Sequence, residues 1–209
     1  MSNRLSISSR LISQTARRPF NTSAFLRVSD LVSKRPDPSI NYFSLFDLTH
    51  SYNVPLPALK SAFLKLQRQV HPDAFSGQDE LESRAHEWSE LVNKAYKTLS
   101  NPLERAEYCL GLKGVEIAES ESLEDPELLM EVMEVREQVE DANTQREIDQ
   151  IRQENKQSMS ETMQRLRLSL EKDDLVDAKA MTVKLRYLSN VDNVCREWSG
   201  AGQRVEIQH

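Results

Sequence analysis

Leu56, Leu59, Phe63, Leu66 and Val70 recur three or four residues apart, and the run they mark stops at His71-Pro72-Asp73. That spacing lays one apolar stripe along a helix. Proline has no N–H and biases the residue before it away from helical angles, so the helix ends there. After a loop of turn-forming and polar residues, "AFSGQDE", a second stripe follows: Trp88, Leu91 or Val92, Ala95 and Leu99. The two stripes bury each other only if the second helix runs antiparallel to the first. The triplet is therefore expected at the tip of a helical hairpin.

The rest of the chain from Asn41 onward keeps the helical rhythm, with only 5 Gly among 209 residues and 29% of them charged. Such a composition favours long solvated helices over a β-sandwich. Ser100-Asn101-Pro102 breaks the chain before a short amphipathic helix in "LERAEYCLGLKG", and the acidic stretch from Gly114 to Asp125 reads as a linker. Beyond it the pattern predicts helices from Pro126 to Ala142, Gln145 to Glu171 and Leu175 to Trp198, whose short breaks make a three-helix bundle the economical arrangement. The expected fold is thus all-α: a hairpin unit over 41–113, a linker over 114–125, a bundle over 126–198 and a frayed tail over 199–209.

Residues 1–28 differ from the rest, carrying Arg4, Arg10, Arg17, Arg18 and Arg27 with abundant Ser and no acid before Asp30. This is the composition of a mitochondrial transit peptide, against which stands a plain basic tail. Arg18-Pro19-Phe20-Asn21-Thr22-Ser23 also resembles the Arg-x-Phe-x-x-Ser cleavage signal of matrix proteins, so the mitochondrial matrix is the expected location. Residues 29–40 are read as a flexible segment.

Setting those five Arg aside leaves 22 of the 27 basic residues against 33 acidic ones, a net −11 over residues 29–209. A body so acidic repels nucleic acid unless it holds a concentrated basic face, and no apolar run is long enough for a membrane helix. Neither nucleic acid nor membrane is an expected partner. Cys109 and Cys195, far apart among apolar neighbours, give no zinc spacing and no disulfide framework.

His71 and Asp73 invite a catalytic or metal reading, but a metal site needs more ligands at workable spacing and a hydrolase needs a nucleophile or a second acid. The nearest other histidine, His86, falls on the second helix of the hairpin. No Gly-rich phosphate loop, nucleophile elbow or ligand cluster accompanies the triplet. The default reading of a lone triplet is then that Pro72 breaks the chain while His71 and Asp73 cap helix ends. Lys65 and Arg68 lie opposite the apolar stripe of the preceding helix, with Lys60 on its flank, which is either a solvated face or a docking surface.

The first bundle helix poses a similar choice. Leu128, Val132, Val135 and Val139 make one core stripe, while Leu129 and Met133 lie roughly 100° and 140° from Leu128, and Met130 farther still. In the last helix Ala178, Met181, Leu185 and Leu188 form the buried stripe and Tyr187 points roughly opposite Leu185. The second patch, bordered by Glu134, Arg136 and Glu137, either packs on the hairpin unit or binds a partner; exposed Met and aromatic groups within a charged rim suit the latter.

A basic helix, His-Pro-Asp, a polar loop and a helix carrying Ala95-Tyr96 and Leu99 together resemble the J domain of the J-protein co-chaperones. Within that family "YFSLFDL", "LKLQRQVHPDAF", "LSNPLERAEYCL" and "LLMEVMEVREQVED" resemble the HscB type, which serves iron–sulfur cluster biogenesis. The resemblance implies a non-enzymatic adaptor of the fungal mitochondrial type, with no metal and no cofactor. On the J domain His71, Pro72 and Asp73 would stimulate ATP hydrolysis by a mitochondrial DnaK-type chaperone, with Lys60, Lys65 and Arg68 meeting its acidic surface. Ala74 stands where the family often has Lys. On the bundle, Leu129, Met130, Met133, Glu134, Arg136, Glu137 and Tyr187 would bind an IscU-type scaffold protein. The alternative within the class is a general J protein delivering unfolded clients.

Overall fold

The computed structural model describes residues 31–118 and 126–200, apart from the side chains of Glu127, Leu128 and Val132. The expected leader, most of the linker's acidic part, most of the tail and the Leu128 and Val132 members of the bundle stripe lie outside the described residues. Within them every regular element is a helix.

The first unit contains α1 (Tyr42–Leu45), α2 (Leu56–Val70), α3 (Asp79–Ser100) and α4 (Pro102–Gly111). The Asn41 side chain caps α1 by accepting from the Phe43 and Ser44 N–H groups, and Asn101 caps α4 in the same way through Leu103 and Glu104. Antiparallel α2 and α3 form the hairpin. Leu59 and Val70 from one helix meet Ala85, Trp88, Val92, Ala95 and Leu99 from the other, and Phe63 stacks on Tyr96 with ring centroids 4.1 Å apart. Leu56, assigned to the stripe from sequence, is instead half-exposed, because α2 begins there and its first turn overhangs the core.

Residues 31–40 do not behave as the flexible segment expected of them. Val32 is fully buried in the hairpin core, the Trp88 indole N–H donates to the Lys34 carbonyl at 2.8 Å, the Arg84 guanidinium donates to the Ser33 carbonyl, and Arg35 pairs with Glu87 at 3.4 Å. The segment is a strap across α3. Deleting residues 1–40 should therefore lower Tm by roughly 5 to 10 °C relative to deleting 1–30, since one buried Val and the indole bond go together. Differential scanning calorimetry of the two truncations, with Trp88 emission shifting to the red in the longer one, checks this.

The second unit is the expected bundle, α5 (Pro126–Asp141), α6 (Gln145–Glu171) and α7 (Leu175–Glu197). A capping box between Thr144 and Glu147 starts α6, and backbone hydrogen bonds from Asn143 and Thr144 hold the Glu147 carboxyl below its ordinary pKa. The α6–α7 seam is reinforced by Arg152, which donates to Asp192 at 2.8 Å, while Arg196 one turn along α7 pairs with the same carboxylate. Lys184 of α7 holds α5 through Glu131 at 2.7 Å.

The two units share an apolar layer. Ala106 and Leu110 of α4 and Tyr52 pack with Leu166 of α6 and with Ala178, Met181 and Leu185 of α7. Ion pairs border it: Arg186 with Glu107 at 2.8 Å, and Lys113 with Asp173. Arg105 lies over the Tyr52 ring, 4.9 Å from its centroid, while donating to the Leu99 carbonyl. The linker contributes as well, with Val115 packed into this layer.

Candidate functional site

The His-Pro-Asp loop is built by the end of one helix and the start of the next. His71 takes extended angles (φ −65°, ψ 127°), as a residue before proline prefers. Pro72 then opens a short 3₁₀ turn, Pro72–Phe75, at the first position, where a missing N–H costs nothing. Phe75 is buried under the hairpin and anchors the turn from inside. Gly77, at φ +83°, supplies the left-handed conformation that turns the chain into α3. The acidic end of the expected loop is in fact helical: Asp79 and Glu80, with Glu82 beyond it, fill the first turn of α3, where carboxylates favour the helix dipole.

This scaffolding leaves His71 and Asp73 in water. His71 Nδ1 accepts the Asp73 N–H at 3.3 Å, an arrangement that leaves the ring proton on Nε2 of the neutral imidazole. The Asp73 carboxylate lies 3.5 Å from the same nitrogen. Such a pair is a capped, exposed turn rather than a buried acid–base couple. Among the described residues no group of three or more His, Cys, Asp or Glu could hold a metal ion. Lys60, Lys65 and Arg68 are all exposed on α2, and that helix carries no acidic residue.

The patch on α5 divides as the helical wheel requires. Val135 and Val139 pack with Ile148, Ile151, Val191 and Cys195, while Met130 is 71% exposed and Leu129 and Met133 are about half-exposed. None of the three is buried on the first unit, one of the two possibilities the sequence left open. Glu134 and Glu137 line a shallow groove with Met130 and Met133, and Arg136 is half-buried and pairs with Glu140 at 2.9 Å.

Tyr187 corrects the expectation of an exposed interface aromatic. It is only 6% exposed, packed with Val183 beneath Ile117. The wheel placed it rightly away from Leu185, but residues 115–118 cross that face of α7 and cover it, with the Ala118 carbonyl held by Arg186 at 3.0 Å. The signal was present in Val115 and Ile117, two apolar residues two apart inside a polar stretch, the period of an extended half-buried segment. Tyr187→Ala should thus cost about 3 kcal/mol or more in urea unfolding by leaving a cavity, whatever it does to binding.

Both thiols are structural. Cys195 is buried, and burial raises the Cys109 thiol to about 11, far from thiolate at neutral pH. No helix among the described residues is long and apolar enough to cross a membrane.

An exposed His-Pro-Asp turn at the tip of an antiparallel helical hairpin, beside an acid-free cationic helix face, defines a J-domain protein. A family model described as the DnaJ domain matches residues 42–108, and one described as the HSCB C-terminal oligomerisation domain matches residues 124–196. The iron–sulfur cluster co-chaperone protein HscB of Homo sapiens is 39% identical over 159 residues, covering 75% of this chain and 68% of that protein. The co-chaperone protein HscB homolog of Burkholderia multivorans is 36% identical over 169 residues, covering 79% of this chain and 96% of its own. The crystal structure of human co-chaperone HscB aligns with a TM-score of 0.74 at 36% identity, over 78% of this chain and 84% of that one. The chain belongs to the HscB co-chaperone family.

Proposed function

We infer that the chain is a mitochondrial matrix co-chaperone that binds an IscU-type iron–sulfur scaffold, brings it to a DnaK-type chaperone and stimulates that chaperone's ATPase, promoting cluster transfer. The observation that carries this reading is the pairing of two separate exposed surfaces in one fold. A His-Pro-Asp turn with a cationic helix face stands on one unit, and an apolar patch with an acidic rim on the other.

The chemistry of each surface fits its proposed partner. The chaperone side relies on charge, which sets encounter rate and orientation and weakens with salt. The scaffold side relies on Leu129, Met130 and Met133 as adaptable apolar anchors, rimmed by Glu134, Arg136 and Glu137. Tyr187, being covered, supports α7 from within. The matrix location rests on the Arg-rich, acid-free composition of residues 1–28.

Calorimetric titration with a folded IscU-type scaffold tests the reading against general client delivery. One-to-one binding that an excess of unfolded polypeptide does not displace is the expected result. Displacement by the unfolded chain, or no scaffold binding, would favour a general J protein.

A further inference from the structure

Of the described side chains that pack α5 into the bundle core, Val135 and Val139 lie in its second half, against Ile148, Ile151, Val191 and Cys195. Leu129, Met130 and Met133 stand exposed toward its other end. Among the described residues, what ties that end to α7 is the ion pair between Lys184 Nζ and the Glu131 carboxylate at 2.7 Å. Glu131 precedes Val139 by eight residues on α5, and Lys184 precedes Val191 by seven on α7. The two attachments therefore sit about two turns apart along parallel helices. The Lys184 side chain is only 16% exposed, so its stem is packed and its ammonium is held at the pair. Glu131 in turn lines the shallow groove of Met130, Met133, Glu134 and Glu137.

We propose that Lys184 is a positioning residue for scaffold binding: through Glu131 it fixes the angle of α5, and so the place at which Met130 and Met133 are presented. The inference rests on the scaffold reading above and adds to it a residue that acts without touching the scaffold. Met130 lies about 14 Å along the helix axis from Val139, so a tilt of about 10° at the Val139 contact displaces it by about 2 Å. That shift unseats a side chain from a socket shaped for it, whereas a helix already held at its bound angle carries no ordering cost into the complex. The neighbouring cations are engaged elsewhere and do not replace Lys184. Arg136 pairs with Glu140 of its own helix, Arg186 is turned to Glu107 and the Ala118 carbonyl, and Arg196 is held by Asp192.

The test is calorimetric titration of a folded IscU-type scaffold with the wild type, Lys184→Met, Glu131→Gln, the double variant Lys184→Met/Glu131→Gln and Lys184→Arg. Each of the first two substitutions should weaken binding about tenfold, and the double variant no further, because both break the same contact. Lys184→Arg should stay within about twofold of the wild type, since a guanidinium can hold the same carboxylate. The Tm of every variant should stay within about 2 °C of the wild type. Without scaffold, amide hydrogen exchange in Lys184→Met should be about threefold faster over the first half of α5, with α6 and α7 unchanged. Unchanged affinity in Lys184→Met, unchanged exchange, or losses that add in the double variant each overturns the positioning role and leaves the scaffold reading intact; additive losses would mean that Lys184 meets the scaffold directly. A wild type that does not bind the scaffold overturns both.

Discussion

His71→Gln should abolish stimulation of the chaperone's ATPase, leaving turnover at the rate of the chaperone alone, while changing folding stability by no more than about 0.5 kcal/mol. The two parts of this expectation have different origins. Stability survives because His71 is in water and its one intramolecular role is to accept the Asp73 N–H, a bond that a glutamine carbonyl oxygen can replace. Stimulation is lost because what the fold displays is the imidazole itself. Pro72 sets the chain direction, Phe75 pins the turn from the core side and Gly77 carries the chain into α3, so three residues serve to present a side chain that the hairpin does not use. Scaffold binding should be unaffected, since Leu129 and Met133 belong to another unit. Loss of stability in the variant would mean that the triplet serves only as a turn.

The second large effect is expected at α5. Leu129→Ala with Met133→Ala should weaken scaffold binding by about 3 kcal/mol, more than a hundredfold in Kd, with an unchanged Tm and unimpaired stimulation of the chaperone in the scaffold's absence. Both side chains are exposed, so truncating them leaves no cavity. The pair is chosen without Tyr187, whose removal would destabilise α7 and confuse loss of fold with loss of contact. Glu134→Lys and Glu137→Lys offer a charge control: if the acidic rim meets basic scaffold residues, reversal should slow association and reduce the salt dependence.

Much of this was legible from helical spacing. The α2 and α3 stripes, the Pro72 and Pro102 breaks and the span of α6 follow from periodicity and capping chemistry, which act locally and so leave their mark in sequence. The partition of α5 into a core-facing Val135/Val139 side, with Val139 buried and Val135 partly so, and an exposed Met130/Met133 side was equally visible, because a short helix rarely needs two stripes for one core. What escaped were contacts made by segments without a helical pattern. Val32 and Lys34 strap α3, Ile117 covers Tyr187 on α7 and Val115 packs between the two units, because so few apolar residues in an extended chain give only a short periodic signal. The joining of the two units through Tyr52, Ala106 and Leu110 escaped for a related reason. Each residue belongs to a helix or loop whose own pattern is satisfied locally, and only the packing shows that it faces outward onto α6 and α7. Leu56 shows the opposite error, since it was counted in the core stripe but stands in the first turn of α2, half-exposed.

The central claim is that one molecule couples two partners, and the most direct measurement is ATP turnover by a mitochondrial DnaK-type chaperone with the scaffold alone, with this protein alone and with both. The two-surface fold predicts that the protein alone stimulates turnover, that the scaffold alone does little, and that together they exceed the product of their separate effects, the excess vanishing in the Leu129→Ala/Met133→Ala variant. Stimulation that is the same with and without scaffold would contradict the adaptor and leave a J domain attached to a bundle with another role.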